Sequence, residues 1–362
     1  MYNMFHVLLT CIAAALASII LTPFIRKFAI AIGAVDLPNE RRVNKRAVPS
    51  LGGIAVFISF FLSTFFLLPI PNQDIMPIFL GACIILITGI VDDTKGLSPK
   101  LKVLGILIAG LIVYYGGDIQ LNMINLPFIG ELYFGSFSLP VTLFWILAIT
   151  NAVNLIDGLD GLASGVSMIA LTTMGIIGYF FLTVDTMAVP IMIFVLVGSI
   201  AGFLPYNFNP ARIFLGDTGA LFLGFMISVM SLQGLKNATL ITLIIPIVIL
   251  GIPITDTIYA MIRRVLNKQS IATADKLHIH HRLMSLGFTH KQTVVAIYCL
   301  AAIFSLIALL YPLSTLWGWL FLTIGLGFGL ELFVELIGLT GKTNQPLLKY
   351  IRKFARAWNR KE

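Results

Sequence analysis

Long apolar stretches repeat along almost the whole 362-residue chain and decide what it can fold into. They lie at roughly residues 4–25, 51–71, 76–91, 101–115, 138–156, 162–183, 187–205, 213–232, 239–260, 292–312 and 315–338. A helix needs about 20 residues to cross the hydrocarbon core of a bilayer. Because the stretches are continuous and do not alternate polar with apolar residues, helices are favoured over a membrane barrel. The pattern predicts an all-α polytopic membrane protein with about 10–11 transmembrane helices.

Composition supports a membrane protein with no separate soluble domain. Hydrophobic residues make up 58% of the chain and charged residues only 11%, whereas the surface of a soluble domain is about a quarter or more charged. The longest polar stretches are too short for cores of their own. We therefore predict one catalytic membrane domain over residues 1–338, followed by a basic amphipathic cytoplasmic tail at 339–362. Polar and apolar residues alternate over 117–138, which predicts a small external β-hairpin.

The basic residues predict the orientation of the chain in the membrane. With eleven spans, every Lys and Arg except Lys236 falls on one side. Since positively charged loops stay in the cytoplasm, the N-terminus is expected outside and the C-terminus inside. The net charge of +8 then reflects topology and contact with anionic membrane lipid, and no nucleic-acid partner is predicted. The first apolar stretch lacks a cleavage site and is expected to be a retained helix.

Five aspartates stand at the ends of apolar stretches, in three short motifs. They are Asp92 and Asp93 in VDDTKGLSPK, Asp157 and Asp160 in NAVNLIDGLDGLA, and Asp217 in FLGDTGALFLG. Acids at the edge of a bilayer core are costly, so such clusters indicate function. Carboxylate and amide oxygens are the ligands that Mg²⁺ prefers. The motifs predict a magnesium-dependent phosphate site at one membrane face; the alternatives are a solvated connecting loop and interhelical hydrogen bonds.

Spacing within the motifs refines this prediction. Asn151, Asn154 and Asp157 follow one another at intervals of three and share one helix face. Gly158 then lets the backbone turn, so that Asp160 approaches the same ligand. Neighbouring helix residues point about 100° apart, so the adjacent Asp92 and Asp93 can face one ligand only at a helix end.

The third motif opens a helix at Asp217. Its free backbone amides are expected to face a phosphate. Phe214, three residues earlier, either stacks on a nucleobase or faces lipid or core. Ser98 and Pro99 are expected to begin another helix, and Lys102 would lie on its first turn.

Two further clusters carry charge on the predicted cytoplasmic side. The sequence DKLHIHHRL contains His278, His280, His281 and Arg282, which suit a pyrophosphate, with zinc binding as the alternative. The segment NERRVNKRAVPSLGGIAVF contains Lys45. Its basic residues either bind substrate or only keep this loop in the cytoplasm. For the remaining membrane acids, Asp256, Glu331 and Glu335, a structural role is favoured over catalysis.

The chain resembles the polyprenyl-phosphate N-acetylhexosamine-1-phosphate transferases, a group within glycosyltransferase family 4 that includes the bacterial phospho-MurNAc-pentapeptide translocase. The motifs at 92–102, 151–163, 214–224 and 278–281 carry the resemblance, which covers nearly the whole chain. It is strongest to the branch that initiates wall teichoic acid or related envelope polymers. Such enzymes transfer GlcNAc-1-phosphate from UDP-GlcNAc to undecaprenyl phosphate and release UMP. The resemblance also implies a bacterial plasma membrane location and leaves a homodimer open.

Roles for individual residues follow from the resemblance alone. Asn154 and Asp217 correspond to ligands of Mg²⁺, with Mn²⁺ as an alternative cation. The positions implied as catalytic are Asp92, Asp93, Asp157, His278, His280 and His281. The positions implied as substrate-binding are Lys45, Lys102, Asn151, Asp160, Phe214 and Arg282. Asn44 and Ser50 depart from the family pattern, which often has His and Arg there.

Within this group Phe214 would stack on uracil and Asp160 would help to read its edge. Asp92 is the candidate base on the lipid phosphate, with Asp93 beside it, and Asp157 contacts the nucleotide sugar. The expected reaction is direct attack of the lipid phosphate on the β-phosphorus, with a covalent aspartyl-phosphate route as the alternative.

Two other classes of protein compete with this interpretation. A transporter or lipid flippase would place its acids near the middle of the bilayer, whereas these lie beside the basic loops. A CDP-alcohol phosphatidyltransferase would share the DGLDG sequence, but the chain lacks the Ala-Arg and the distal aspartate pair that follow it in that family. Both are disfavoured.

Overall fold

A computed structural model describes residues 4–36, 47–126, 130–181, 187–233, 240–266, 268, 278–339 and 345–350. These residues form thirteen α-helices and two small sheets, which confirms the all-α prediction. The helices are α1 (Met4–Ala31), α2 (Gly53–Leu67), α3 (Asn72–Lys95), α4 (Pro99–Gly117), α5 (Ser138–Ile156), α6 (Leu162–Phe180), α7 (Ala188–Asn207), α8 (Gly216–Gln233), α9 (Leu240–Ile249), α10 (Gly251–Leu266), α11 (Ile279–Ser285), α12 (His290–Leu310) and α13 (Leu316–Ile337).

Eight helices within the described part of the chain are long and apolar enough to cross a membrane. They are α1, α3, α4, α5, α6, α7, α12 and α13. Helix α2 is also apolar but has only 15 residues. Ten of the eleven predicted stretches each coincide with one helix, and the chain is a multi-pass membrane protein.

The stretch at 239–260 is not the single helix that the sequence predicts. It divides at Leu250 into α9 and α10. Pro253 has no backbone N–H to donate to the carbonyl of Ile249, and proline and glycine are the usual causes of a helix kink. Hydrogen bonds from Leu250 to Pro246 and from Ile254 to Leu250, both 2.9 Å, keep the two helices connected at the bend.

Helix α8 forms the centre of the protein, and nearly all its side chains are buried. Helices α2, α3 and α5 pack around it. Glycines permit very close approach near its first turn: a Cβ on Gly53 would lie 2.2 Å from the Cα of Gly219, and one on Gly89 would lie 2.3 Å from the Cα of Thr218. The first turn of α8 is therefore fixed between α2 and α3.

Two antiparallel pairs of strands connect helices. Strands β3 (Met123–Leu126) and β4 (Gly130–Tyr133) form the predicted hairpin, with Met123 opposite Tyr133. Strands β1 (Val35–Asp36) and β2 (Val48–Pro49) were not predicted. They hold the end of α1 next to the start of α2.

The membrane acids near the C-terminus have structural partners. Glu335 is fully buried and accepts hydrogen bonds from the backbone amides of Leu347 and Leu348, at 3.0 and 2.8 Å. Glu331 accepts a hydrogen bond from the hydroxyl of Tyr259. These contacts agree with the structural roles that the sequence favoured. Within the predicted amphipathic tail, residues 346–350 are helical, and residues 340–344 and 351–362 lie outside the described residues.

Candidate active site

A cavity of about 350 Å³ lies where α3, α5, α8 and α11 meet. Nine of the residues singled out in the sequence line it: Asp92, Asp93, Asn154, Asp157, Asp160, Phe214, Asp217, His280 and His281. The fold thus brings three motifs and part of the histidine cluster to one place, although they are far apart in the chain.

The two adjacent aspartates of α3 have different surroundings. Asp93 is directed at the first turn of α8, where its carboxylate accepts hydrogen bonds from the backbone amides of Asp217 and Thr218, both at 3.0 Å. It also accepts hydrogen bonds from the hydroxyls of Thr218 and Ser50, at 2.6 and 3.1 Å. Asp93 thus binds two of the free backbone amides that the start of α8 was expected to offer to a phosphate.

Asp92 belongs to an ion-pair network with α4 and α8. One of its oxygens accepts a hydrogen bond from the backbone amide of Leu97 at 2.7 Å, and the other pairs with the ammonium of Lys102. The same ammonium lies 3.2 Å from Oδ1 of Asp217. Lys102 is on the first turn of α4, which the Ser98 side chain caps as the sequence predicted. Lys102 thus bridges the first and third motifs.

Asn154 and Asp157 bring the second motif to this network. The amide nitrogen of Asn154, in the last turn of α5, donates a hydrogen bond to Oδ1 of Asp217. Asp157 follows directly at the end of α5 and lines the cavity. The protein around its carboxylate replaces bulk water, and this burial raises the pKa of Asp157 well above the usual carboxyl value, with a further contribution from the charge of Asp217.

Asp160 holds the segment between α7 and α8. Its Oδ2 accepts hydrogen bonds from the side-chain amide of Asn209 at 2.8 Å and from the backbone amide of Ala211 at 3.0 Å. Its own backbone amide donates to Nε2 of His290 at 3.0 Å. Asp160 therefore fixes the segment that carries Phe214 into the cavity.

The histidine cluster is anchored from α10. Nδ1 of the buried His278 lies 2.9 Å from Oδ2 of Asp256, and the backbone amide of Ile279 donates to Oδ1 at 2.9 Å. The ring of His280 lies parallel to that of His278, with centroids 5.8 Å apart. Asp256 thus has the structural role favoured for it, and it sets the position of the short helix α11.

His280 approaches the second motif very closely. A Cβ on Gly158 would lie 2.5 Å from Nε2 of His280, so only glycine leaves room for the imidazole. Burial lowers the pKa of His280 to about 3, and the neighbouring His281 adds to this effect. The imidazole is therefore neutral at ordinary pH and can act only as a neutral hydrogen-bonding group.

Four predicted site residues are not among those that line the cavity and have other partners. The side-chain amide of Asn151 donates to the carbonyl of Leu147 in its own helix at 2.8 Å. Nε of Arg282 donates to the carbonyl of Ile337 at 3.0 Å, at the end of α13. The contact of Arg282 with pyrophosphate stays a prediction, and the observed partner of its Nε is this carbonyl. His278 lies beside His280 and contacts Asp256. Lys102 does not line the cavity itself, but its ammonium contacts Asp217, which does. Lys45 lies outside the described residues.

Several contributors to the site were missed in the sequence. Ser50 was discounted as a departure from the family pattern, yet its hydroxyl donates to Asp93. Asp36 of β1 and Asn207 of α7 line the cavity, and His290 supports Asp160. The segment that Asp160 holds could have been recognised from the polar residues of NFNPAR, which come shortly before the third motif.

The oxygen donors suit Mg²⁺ completed by substrate. No three His, Cys, Asp or Glu side chains converge into a closed metal site within the described ranges. Mg²⁺ does not require one, because it is usually bound by one or two carboxylates together with waters and substrate phosphates. Asp217, Asp92 and the amide oxygen of Asn154 provide hard donors of this kind beside an open cavity.

Comparisons with known proteins identify the family. The model of glycosyl transferase family 4 matches residues 75–235. A Bacillus subtilis protein named probable undecaprenyl-phosphate N-acetylglucosaminyl 1-phosphate transferase is 40% identical over 98% of this chain and 98% of its own. The undecaprenyl-phosphate alpha-N-acetylglucosaminyl 1-phosphate transferase of Yersinia pestis is 30% identical, over 92% of this chain and 91% of its own.

A more distant relative extends the series. The decaprenyl-phosphate N-acetylglucosaminephosphotransferase of Mycolicibacterium smegmatis is 29% identical over 79% of this chain and 77% of its own. The similarity to the Bacillus protein spans all the elements that build the cavity. The chain belongs to glycosyl transferase family 4.

Proposed function

We propose that this protein transfers GlcNAc-1-phosphate from UDP-GlcNAc to undecaprenyl phosphate and releases UMP. One observation carries the proposal: five aspartates from three helix ends line one cavity, in a chain 40% identical over 98% of its length to a protein named for this activity. The aspartates can organise a cation and phosphates, and the membrane helices give a lipid phosphate access from the bilayer.

In this reaction an oxygen of the lipid phosphate attacks the β-phosphorus of UDP-GlcNAc. The bond from the β-phosphorus to the oxygen bridging the two phosphates breaks, and that oxygen leaves with UMP. Phosphoryl transfer of this kind needs mainly positioning and charge stabilisation. A bound Mg²⁺, or Mn²⁺ in its place, would neutralise charge on the diphosphate and on the leaving UMP. Asp217 and Asn154 would hold the cation.

The structure leads us to assign different roles to the adjacent aspartates. Asp92 faces the cavity with Lys102 as its partner, so we place the lipid phosphate next to Asp92, which keeps it deprotonated. Asp93 already accepts four hydrogen bonds, from Ser50 and the first turn of α8. Its proposed role is to position Asp217.

The nucleotide sugar is proposed to occupy the other side of the cavity. Phe214 offers an aromatic face for uracil, and Asp160 lies beside the same segment. Asp157 is placed at the sugar phosphate. The neutral His280, with His281 next to it, can donate a hydrogen bond to a phosphate oxygen.

The surroundings of the reaction are part of the proposal. We place the protein in the plasma membrane of a bacterium, with the N-terminus outside and the cavity at the cytoplasmic face, because that side carries nearly all the basic residues. The product would begin wall teichoic acid or a related envelope polymer. One chain supplies all the residues that line the cavity, so the protein can act as a monomer, and a homodimer is the alternative.

A direct assay tests the proposal. The purified full chain is incubated in detergent with undecaprenyl phosphate, Mg²⁺ and a panel of UDP-sugars, and UMP release is measured. We expect release with UDP-GlcNAc that stops when EDTA is added. Asp217→Asn should reduce the rate by at least about 100-fold, consistent with loss of charge stabilisation worth several kcal/mol. Asp74→Asn, near the opposite end of α3, is the matched control and should keep the rate. No UMP with any UDP-N-acetylhexosamine would contradict the assignment.

A further inference from the structure

The ammonium of Lys102 occupies the space between the first and third motifs. It pairs with Asp92 and lies 3.2 Å from Oδ1 of Asp217, and its side chain is 20% exposed. Asn154 donates a hydrogen bond to the same Oδ1. One oxygen of Asp217 therefore already receives two donors.

A divalent cation that binds Oδ1 of Asp217 would meet the ammonium of Lys102 at the same oxygen. Sharing Oδ1 of Asp217 between two positive groups is unfavourable, because like charges a few ångströms apart repel in a partly buried site. A cation that binds Oδ1 of Asp217 is therefore expected to displace Lys102 from that oxygen.

The displaced ammonium cannot move far. Its backbone is fixed on the first turn of α4, which Ser98 caps and Pro99 starts, while four methylene groups let the charge swing over a few ångströms. The cavity in front of it is where the substrate phosphates of the proposed function would lie. A phosphate oxygen is the anionic partner that best replaces a carboxylate for a lysine.

We infer that Lys102 is an exchangeable counter-ion: it pairs with Asp92 and Asp217 in the free enzyme and moves to the substrate phosphate when a divalent cation binds. This inference rests on the proposed function and adds a consequence to it. In the absence of substrate Lys102 competes with the cation, and in its presence Lys102 gains a new partner. Cation and donor therefore strengthen each other's binding, and by linkage the effect is reciprocal.

Binding of Mn²⁺ to the full chain in detergent tests this without any turnover. Free Mn²⁺ is measured by electron paramagnetic resonance, with and without UDP-GlcNAc and with no lipid phosphate present. In the absence of donor, Lys102→Met should bind Mn²⁺ at least about 10-fold more tightly than the unchanged protein. The gain in Mn²⁺ affinity on adding donor should be at least about 5-fold smaller in Lys102→Met.

Lys100→Met is the matched control, because Lys100 is exposed on the same turn of α4. It should leave both quantities unchanged. Lys102→Gln replaces the methionine variant if that variant does not fold, since glutamine keeps hydrogen bonds to both aspartates without the charge. In the unchanged protein, amine acylation read by mass spectrometry should increase at Lys102 when Mn²⁺ alone is added and stay constant at Lys100.

The outcomes separate this inference from the proposed function. Equal or weaker Mn²⁺ binding by the Lys102 variant used, with UMP release intact in the unchanged protein, would overturn the exchange of Lys102 and leave the transferase assignment standing. Mn²⁺ that fails to bind the unchanged protein even with donor would overturn the exchange together with the metal site. Tighter binding by a Lys102 variant with reduced coupling supports the exchange.

Discussion

Oδ2 of Asp93 accepts two hydrogen bonds from Thr218, one from its backbone amide at 3.0 Å and one from its hydroxyl at 2.6 Å. A carboxylate of α3 thus caps the first turn of α8, where backbone amides and the helix dipole favour a negative charge. The contact fixes Asp217, the residue before Thr218, at the wall of the cavity. We therefore expect Asp93 to act through Asp217.

Replacing Asp93 should therefore affect stability as well as activity. In Asp93→Asn the side-chain NH₂ would replace one carboxylate oxygen. It cannot accept a hydrogen bond from the backbone N–H group of α8 that it faces. We expect a loss of about 1–3 kcal/mol in the free energy of unfolding, seen as a lower melting temperature in detergent. Asp92→Asn keeps the acceptor for Leu97 and should lower UMP release with a smaller change in melting temperature. The reverse ranking of the two melting temperatures would contradict this division of roles.

Gly158 should not tolerate even one additional methyl group. In Gly158→Ala the new Cβ would lie 2.5 Å from Nε2 of the buried His280, which must then move. We expect at least a 10-fold fall in kcat/KM for UDP-GlcNAc, because small displacements of positioned groups are costly to catalysis. Gly325→Ala is the control, since no atom lies within 4 Å of a Cβ at that position on α13. Equal activity of the two variants would refute the close contact.

Arg282 should act through the end of α13. In Arg282→Gln the hydrogen bond to the carbonyl of Ile337 and the packing against Gly338 are lost. We expect a lower melting temperature and a lower kcat, with KM for UDP-GlcNAc within about twofold of the original value. A large rise in KM at an unchanged melting temperature would instead mean that Arg282 binds the donor.

His280 should make the protein sensitive to acid. Its pKa is about 3 in the folded protein and near 6.5 when unfolded, so the unfolded state takes up a proton first as pH falls. The contribution of neutral His280 to the free energy of unfolding is fully present above about pH 6.5. It decreases below that pH by up to about 1.4 kcal/mol for each pH unit. Melting temperatures from pH 7 to pH 4 should therefore fall more steeply in the unchanged protein than in His280→Gln. Parallel curves would show that folding does not lower the pKa of His280.

Asp256 should be needed to hold the histidine helix. In Asp256→Ala both the imidazole of His278 and the amide of Ile279 lose their acceptor. Asp256→Asn retains an acceptor for the amide and offers its NH₂ to an unprotonated Nδ1 of His278. We expect kcat for UMP release to fall in the order original, Asn, Ala, and hydrogen exchange in α11 to rise in the same order. Protection in α11 that is the same in all three proteins would contradict this role.

The sequence predicted what depends on local rules. Helix lengths follow the thickness of the bilayer, and Asp157 and Asp217 were visible because charge at a membrane edge is costly. It could not distinguish Asp92 from Asp93, since their roles depend on which helix lies opposite each carboxylate. Arg282 suited a phosphate by its chemistry, but its partner is a carbonyl on α13 that no local pattern indicates. Asn151 shares the predicted helix face, yet its amide bonds to its own helix.

The capping of α8 by Asp93 also bears on the order in which the protein forms. The two partners are 125 residues apart, so the ribosome delivers α3 to the membrane long before Thr218 is made. Until then no backbone amides of α8 can donate to the carboxylate of Asp93, which remains exposed to water at the end of α3. Arrival of α8 removes that carboxylate from water and places Asp217 in the same step. The reaction centre is thus complete only after α8 has packed against α3.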